Sequence, residues 1–566
     1  MPLPSPRVRT SRPRALAALG LVAALTAGGI AGAVALAPSA HPGGPAPSGG
    51  AGAGTLPDAP PAQPPPQLTA AQVARAVDRL DGSVREAMRR TGVPGVAVGV
   101  VHDGRVLFLK GYGLREVGRP GRVGPDTVFQ LASVSKPLTA TVVAGAVGDG
   151  TVGWDDRVRE HDPGFRLKDR WTGDHLTLAD LLSHRSGLPD HAGDLLEDLG
   201  FGRDHILGRL RYAPLAPFRT SYAYTNFGFT EAALAVARAA GTSWEELARR
   251  ELLRPLGMTS TGFRFADYVG ARDRAAAHVR ADGRWQARYV RDADAQSPAG
   301  GASSTARDMT KWLLLQLGDG RYDGRRVVDA AALERTWLPH VLDQPPRAPA
   351  GRSGFYGLGW NVGYDDRGRL RIGHSGGFDL GAATYAGLLP SERLGLVVLT
   401  NGEPTGVPEA IAEDFFDTAQ NGGPTVDWPA FFGRLFRRLD EEGRSRTDYD
   451  APPARAAPAA PYDAYTGTYA NDYYGPMTVR VRDGALTMEL GPGPVRFALR
   501  HYAGGTFSYE TTGENAVGRS GVTFTLGADG RAGRVRVEHL DADGLGTFTR
   551  TAGAAPAGRT PRAGGK

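Results

Sequence analysis

Leu131-Ala132-Ser133-Val134-Ser135-Lys136-Pro137 is the most informative stretch of this sequence, because it holds a Ser-x-x-Lys tetrad where a helix is expected to begin. Residues three apart share one face of a helix, so Lys136 can reach the Ser133 hydroxyl while Ser135 points elsewhere. The proline that follows lacks an N–H and is tolerated mainly in the first turn of a helix. The tetrad therefore predicts a helix start with a hydroxyl beside an amine.

Lysine is scarce in this chain, which makes its presence in the tetrad informative. Five of the 66 basic residues are lysines, and arginine supplies the others. The guanidinium of Arg cannot be deprotonated in a protein, whereas the amine of a buried Lys can act as a base. Ser133 is therefore the candidate nucleophile, and Lys136 is its candidate general base.

Two further motifs follow the tetrad in chain order. Tyr224-Thr225-Asn226 is a Tyr-x-Asn triplet, and Gly373-His374-Ser375-Gly376-Gly377 follows a strand-like segment. Together the three motifs resemble those of the serine β-lactamase and penicillin-binding-protein superfamily. The branch in question contains class C β-lactamases, D-Ala-D-Ala carboxypeptidases, D-aminopeptidases and related esterases. The resemblance covers about residues 67–420 and includes the family-like segments Leu181–Pro189, Ser297–Gly301 and Tyr356–Trp360.

The resemblance implies a catalytic role for each matched side chain. Ser133 attacks the substrate carbonyl, and Lys136 and Tyr224 share the general-base and general-acid work, with the order of proton transfer left open. Asn226 hydrogen-bonds both Lys136 and the substrate. We therefore expect an exported serine hydrolase that forms a covalent acyl-enzyme.

The glycine-rich motif implies the substrate-binding strand. By position in the family, His374, Ser375 and Gly376 bind the substrate, and the backbone N–H groups of Ser133 and Gly377 form the oxyanion hole. Many family members have Lys where this chain has His374, and a His is mostly neutral at pH 7 and gains charge toward pH 6. Carboxylate recognition should be weak, which favours ester, amide or D-amino-acid-peptide substrates and leaves β-lactams open.

Two other interpretations stay open at the level of sequence. Gly373-His374-Ser375-Gly376-Gly377 also spells Gly-x-Ser-x-Gly, the nucleophile elbow of α/β-hydrolases, but an elbow needs a helix after it and residues 382–390 look like a strand. Alternatively, the chain is a catalytically weak sensor of cell-wall peptides or β-lactams on the same scaffold. Retention of Ser133, Lys136 and Tyr224 together favours the enzyme.

Composition limits the partners and cofactors. The formal net charge is +6, but residues 1–66 hold four Arg and one acid and residues 553–566 hold three bases, so the body between them is neutral. No nucleic-acid partner is therefore expected. The chain has no cysteine and its 12 histidines lack metal-ligand spacing, so we expect neither a metal nor another cofactor.

The chain divides into six predicted segments. Residues 1–37 join a basic start to an apolar run, the layout of a signal peptide or membrane anchor, and would place the protein outside the cell or at the outer face of the cytoplasmic membrane. The expected fold is α/β, an antiparallel sheet flanked by helices with a helical insert, plus a small C-terminal all-β barrel that resembles lipocalin-like domains. The expected partner is a small-molecule or peptide substrate, including cell-wall peptides. The remaining segments are a Pro/Gly/Ala-rich linker (38–66), the catalytic domain (67–440), a second linker (441–460), the barrel (461–552) and a disordered tail (553–566).

Overall fold

A computed structural model describes residues 66–551 of the 566. The predicted signal or anchor, nearly all of the first linker and the predicted tail lie outside the described residues. Among the residues that are described, no helix is both long and apolar enough to cross a bilayer.

Helices and strands are numbered here in chain order. The α-helices between residues 66 and 551 are α1 (Ala70–Thr91), α2 (Ser135–Gly148), α3 (Val158–His161), α4 (Arg170–His175), α5 (Leu178–Leu182), α6 (Asp194–Asp198), α7 (Arg203–Arg209), α8 (Asn226–Ala239), α9 (Trp244–Ala248), α10 (Phe265–Gly270), α11 (Ser297–Gly300), α12 (Ala306–Leu317), α13 (Ala330–Arg335), α14 (Val407–Asn421) and α15 (Trp428–Gly443). The strands are β1 (Gly95–His102), β2 (Arg105–Gly113), β3 (Phe129–Gln130), β4 (Val279–Ala281), β5 (Arg284–Gln286), β6 (Ser303–Ser304), β7 (Arg321–Tyr322), β8 (Arg325–Arg326), β9 (Val341–Gln344), β10 (Gly354–Tyr356), β11 (Asn361–Tyr364), β12 (Leu370–Phe378), β13 (Ala382–Leu389), β14 (Leu394–Thr400), β15 (Gly467–Asn471), β16 (Gly475–Arg482), β17 (Ala485–Leu490), β18 (Val495–Ala498), β19 (Arg500–Ala503), β20 (Thr506–Glu510), β21 (Arg519–Leu526), β22 (Ala532–Val537) and β23 (Thr547–Arg550).

Eight antiparallel strands form the sheet of the larger domain, in the order β2-β1-β14-β13-β12-β11-β10-β9. The β1–β2 hairpin turns at Asp103 and Gly104, which both have positive φ (47° and 74°), the conformation that tight hairpin turns require. Strand β14, from the far end of the domain, pairs with β1 along its length. The N- and C-terminal parts of the domain therefore share one sheet around a helical insert, as predicted.

Helices cover both faces of this sheet. On one face, α1 and α14 pack through a continuous core that includes Val84, Val98 and Ile411. Helix α1 forms because its apolar residues recur at helical spacing and because Thr69 and Gln72 make a capping box at its start. The opposite face carries α12 and the helical insert, and the site lies where this insert meets β12.

Strands β15 to β23 form a nearly closed nine-stranded antiparallel barrel, which confirms the predicted all-β module. Its two edge strands, β18 and β19, are consecutive in the chain, and β18 contacts β20 beside the gap. Alternating residues such as Met477 and Val479 point inward and are buried. The likeness to lipocalins remains a prediction.

The barrel contacts the larger domain beside the site. The Asp198 carboxylate on α6 accepts hydrogen bonds from the backbone N–H groups of Glu514 and Asn515. The Glu514 carboxylate in turn accepts a 2.7 Å hydrogen bond from the N–H of Asp379, in the turn after β12. One barrel loop thus holds two segments of the larger domain together.

Candidate active site

The Ser-x-x-Lys tetrad lies where a short 3-10 turn (Ala132–Val134) runs into α2. Ala132 has φ 48°, a left-handed conformation that is uncommon for a residue with a Cβ and marks local strain. Ser133 is half-buried, and the neighbouring tetrad residues are buried. Ser135 donates from its hydroxyl to the Ala132 carbonyl and accepts from the Ala302 N–H, so it points away from the site as predicted.

Lys136 is fully buried and all three of its N–H donors are used. Its Nζ lies 3.2 Å from Ser133 Oγ, 2.7 Å from Asn226 Oδ1 and 3.0 Å from the Ala299 carbonyl oxygen. Burial lowers the pKa of Lys136 well below its usual value, and the negative charge of Asp194 opposes this shift only in part. The amine is therefore set to lose its proton more readily than an exposed lysine does.

Tyr224 is the second side chain that contacts the nucleophile. Its hydroxyl donates to Ser133 Oγ at 2.8 Å, and Lys136 Nζ lies 4.4 Å from the centre of its ring. Burial raises the pKa of Tyr224 far above that of a free phenol, so it is a neutral donor at pH 7. Asn226 follows at the first position of α8, which places its side chain on Lys136.

His184 is a site residue for which the sequence predicted no role. Its ring centre lies 4.5 Å from that of Tyr224 and 4.7 Å from that of Tyr356, and its Nδ1 accepts from the Thr225 N–H. Burial and the charge of Lys136 lower the pKa of His184, so it stays neutral. The segment Leu181–Pro189, itself family-like, was the available signal for this packing role.

Strand β12 presents an open edge to the nucleophile. Strand β11 pairs with it only as far as Gly373, so residues 374–378 have a strand partner on one side only. A Cβ at Gly376 would lie 2.3 Å from the Leu131 carbonyl oxygen and 3.0 Å from the Ser133 nitrogen. Only glycine allows this approach, and the half-buried Gly377 continues the same edge.

His374 differs from expectation in two respects. Its side chain is fully buried, with Nδ1–H donating to the Ser375 carbonyl and Nε2 accepting from the Tyr356 hydroxyl, so both ring nitrogens are occupied within the protein. In the structure this imidazole is therefore not positioned to contact a substrate directly. Burial, together with the charge of Lys136, lowers the pKa of His374 to about 3, so the expected gain of charge toward pH 6 is wrong.

Ser375 lies on the other face of β12 from Ser133. It pairs across the sheet with Tyr385, whose ring lies in the core beneath α14, and cross-strand partners share a face. The carboxyl of Glu409 on α14 is buried here, and burial raises its pKa to about 7 against the opposing effect of the Ser375 hydroxyl. Because β12 continues into strand β13 and not into a helix, the nucleophile-elbow interpretation of Ser375 is excluded.

Comparisons with known proteins match both parts of the chain. The family model described as Beta-lactamase matches residues 80–416, and a domain of unknown function (DUF3471) matches residues 451–549. An unguisins hydrolase of Aspergillus campestris is 29% identical over 433 residues, covering 70% of this chain and 76% of the relative. Penicillin-binding protein 4 of Amycolatopsis lactamdurans is 31% identical over 338 residues, covering 57% and 84%.

A solved structure shows the same fold. The octameric penicillin-binding protein homologue of Pyrococcus abyssi superposes with a TM-score of 0.53, covering 82% of this chain and 98% of that one, at 19% sequence identity.

Proposed function

The chain belongs to the β-lactamase family, and from this premise we propose that it is an exported serine hydrolase acting through an acyl-enzyme on Ser133. Its proposed substrates are esters, amides or D-amino-acid peptides. The observation that carries the proposal is that Ser133 Oγ lies 3.2 Å from Lys136 Nζ and accepts a 2.8 Å hydrogen bond from Tyr224 Oη. A half-buried hydroxyl between an amine with a lowered pKa and a neutral phenol is suited to acyl transfer.

The proposed acylation step starts with Lys136 in its neutral form. Its amine takes the Ser133 hydroxyl proton as Oγ bonds to the substrate carbonyl carbon, and the N–H groups of Ser133 and Gly377 stabilise the oxyanion. When the bond to the leaving group breaks, Tyr224 gives its proton to that group and regains one from the Lys136 ammonium. Water then attacks the acyl carbon, and the same groups reverse their roles to release the acid and restore Ser133.

The substrate proposal follows from the charges around β12. The imidazole of His374 is neutral and enclosed, so this position supplies no cation for a substrate carboxylate. Esters, amides and D-amino-acid peptides without a carboxylate beside the cleaved bond are therefore the preferred substrates, and carboxylate-bearing cell-wall peptides or β-lactams are the secondary ones. A hydrolase of unguisins and a penicillin-binding protein among the relatives support acyl chemistry of this kind. The basic and apolar residues 1–37 support a location outside the cytoplasm.

The test is covalent labelling of the purified protein. A fluorophosphonate or a fluorescent penicillin should attach to the peptide that contains Ser133, and Ser133→Ala should abolish labelling while Ser375→Ala retains it. Turnover is then measured on a short-chain ester, a cephalosporin and a D-Ala-D-Ala peptide. An adduct on Ser375 would contradict the proposal, and labelling of Ser133 without turnover of any acyl substrate would favour the sensor alternative.

A further inference from the structure

A buried chain of hydrogen bonds leads away from Lys136 on the side opposite to Ser133. Lys136 Nζ donates to Asn226 Oδ1 at 2.7 Å, Asn226 Nδ2 donates to Asp194 Oδ2 at 2.8 Å, and His191 Nδ1 lies 2.7 Å from the same Asp194 oxygen. All four side chains are at least nine-tenths buried. Lys136 acts in the proposed mechanism and Asn226 holds its amine, whereas Asp194 and His191 have no role so far.

Asp194 determines which way the Asn226 amide points. An ionised carboxylate only accepts hydrogen bonds, so the amide must turn its NH2 group toward Asp194 and its oxygen toward Lys136. With the amide reversed, its NH2 would face the Lys136 N–H donors. The carboxylate also puts a negative charge near Lys136, which favours the ammonium form of the lysine.

His191 lies at the far end of this chain of hydrogen bonds and also contacts the backbone of the site. The backbone N–H of His191 donates to the Tyr224 carbonyl at 2.7 Å. His191 also has φ 56°, a strained conformation for a residue with a side chain. Its Nδ1 must carry a proton because its partner is a carboxylate, and its Nε2 has no hydrogen-bond partner among residues 66–551. His191 as a whole is 5% exposed.

The surroundings of His191 are mainly acidic. The charges of Asp190 and Asp194 raise the pKa of His191 against the opposing effects of its burial and of Lys136. The groups that face it come from its own loop and α6, from the turn after β12, from α2, from the loop after α5 and from the barrel: Asp190, Asp194, Asp379, Lys136, His184 and Asp543.

We infer that His191 and Asp194 are positioning residues that set both the geometry and the protonation of Lys136, and that the barrel stabilises this pair. The inference rests on the proposed role of Lys136 as general base. With His191 as an imidazolium, the pair is neutral and Lys136 loses its proton more easily. Without that positive charge, the Asp194 carboxylate acts alone and holds Lys136 in the ammonium form.

The barrel contacts the loop that carries His191 and Asp194. The Tyr473 hydroxyl accepts a 2.8 Å hydrogen bond from the N–H of Gly193, which lies between His191 and Asp194. Gly193 has φ 100°, and a Cβ there would lie 2.6 Å from the Phe227 ring, so the loop has little freedom to shift. The neighbouring Tyr474 instead donates to the Leu540 carbonyl within the barrel.

The test is a direct titration of Lys136. Since the chain has five lysines, [ε-13C]lysine labelling gives few NMR signals, and loss of one signal in Lys136→Arg assigns it. Asp194→Asn should lower the Lys136 midpoint, because it removes a negative charge, and His191→Gln should raise it, because it removes a positive one. Each shift is expected to be about one pH unit. If His191 and Asp194 had only a structural role, the two variants would shift the Lys136 midpoint in the same direction or leave it unchanged.

The role of the barrel in stabilising His191 and Asp194 is tested by removing the hydroxyl of Tyr473 and, as a matched control, that of Tyr474. Tyr473→Phe should shift the Lys136 midpoint, and Tyr474→Phe, the same chemical change one residue away, should leave it unchanged. The acid limb of fluorophosphonate labelling of Ser133 should move with the NMR midpoint in each folded variant. No shift in Asp194→Asn and His191→Gln overturns the inference. If the two variants shift the Lys136 midpoint in opposite directions but wild-type Ser133 is not labelled, the inference about His191 and Asp194 stands and the proposed function is overturned.

Discussion

Burial acts in opposite directions on the two groups that flank Ser133. It destabilises the charged form of each, so it lowers the pKa of Lys136 and raises that of Tyr224. The sequence left open which of the two takes the first proton. The directions of these shifts favour Lys136 as the base and Tyr224 as a proton donor.

Replacement of Lys136 by Arg tests the base directly. The guanidinium keeps the positive charge but cannot be deprotonated, so we expect kcat on an ester substrate to fall by roughly 1,000-fold or more. Lys311→Arg, at an ion pair with Asp308 on α12, is the matched control and should keep its activity. Near-normal turnover in Lys136→Arg would mean that the lysine serves only as a fixed charge.

His374→Lys tests whether this position can bind a substrate carboxylate. The side chain at 374 is enclosed and lies close enough to Lys136 for the two charges to interact, so a second ammonium would be buried without a partner. We expect a loss of roughly 3 kcal/mol in the free energy of unfolding, measured by denaturant titration. His175→Lys, at a half-buried position on the surface helix α4, should cost much less. An undiminished stability with improved cleavage of cephalosporins would show that the side chain at 374 reaches the substrate.

Among the elements, the open edge of β12 does most to shape the site. Its residues 374–378 have one strand partner, and the missing partner leaves space for a substrate chain beside Ser133. The close approach depends on the absence of a side chain at Gly376.

Gly376→Ala should therefore abolish activity without unfolding the protein. The added Cβ would meet the Leu131 carbonyl oxygen and push β12 away from the Ser133 N–H, so we expect acylation by a fluorophosphonate to slow by at least 100-fold. Gly533→Ala in strand β22 adds the same methyl group where no atom lies within 4 Å, and should label at the wild-type rate. Equal labelling rates for the two variants would show that the backbone contact at Gly376 is unimportant.

On the scale of the whole molecule, several buried carboxyl groups have raised pKa values. Burial is the first cause in each case, and the pKa is raised to about 7 at Glu197, Asp343 and Glu409. The folded state then binds more protons than the unfolded state between pH 4.5 and 7. Stability from these groups is present at low pH and is lost as the pH rises through 7.

Glu409→Gln should remove part of this pH dependence. The variant and the wild type should have similar unfolding free energies at pH 5, where the folded protein holds Glu409 protonated. At pH 8 the variant should be more stable by roughly 2 kcal/mol, because it no longer buries an ionised carboxylate. Thermal unfolding at the two pH values measures the difference, with the exposed Glu441→Gln as control. A variant that is less stable at pH 8 would mean that the ionised carboxylate is stabilised.

The features that could be predicted from the sequence are those encoded within a few residues. The three-residue spacing of Ser133 and Lys136, the helical period of α1 and the Asp103–Gly104 turn each act through neighbouring backbone, so their structures follow from local sequence. The alternating segments of the barrel predicted its strands in the same way.

Features that depend on residues distant in the chain could be seen only in the folded structure. The pKa of His374 follows from its enclosure beside Tyr356 and Lys136, and burial cannot be read from a residue type that occurs both inside and outside proteins. Asp194 and His191 reach Lys136 only because α6 and its preceding loop pack against α8, and no short motif connects them. The barrel's contact with the loop at Gly193 is more distant still, because a hydrogen bond between residues 280 positions apart leaves no local pattern and exists only once both domains have folded.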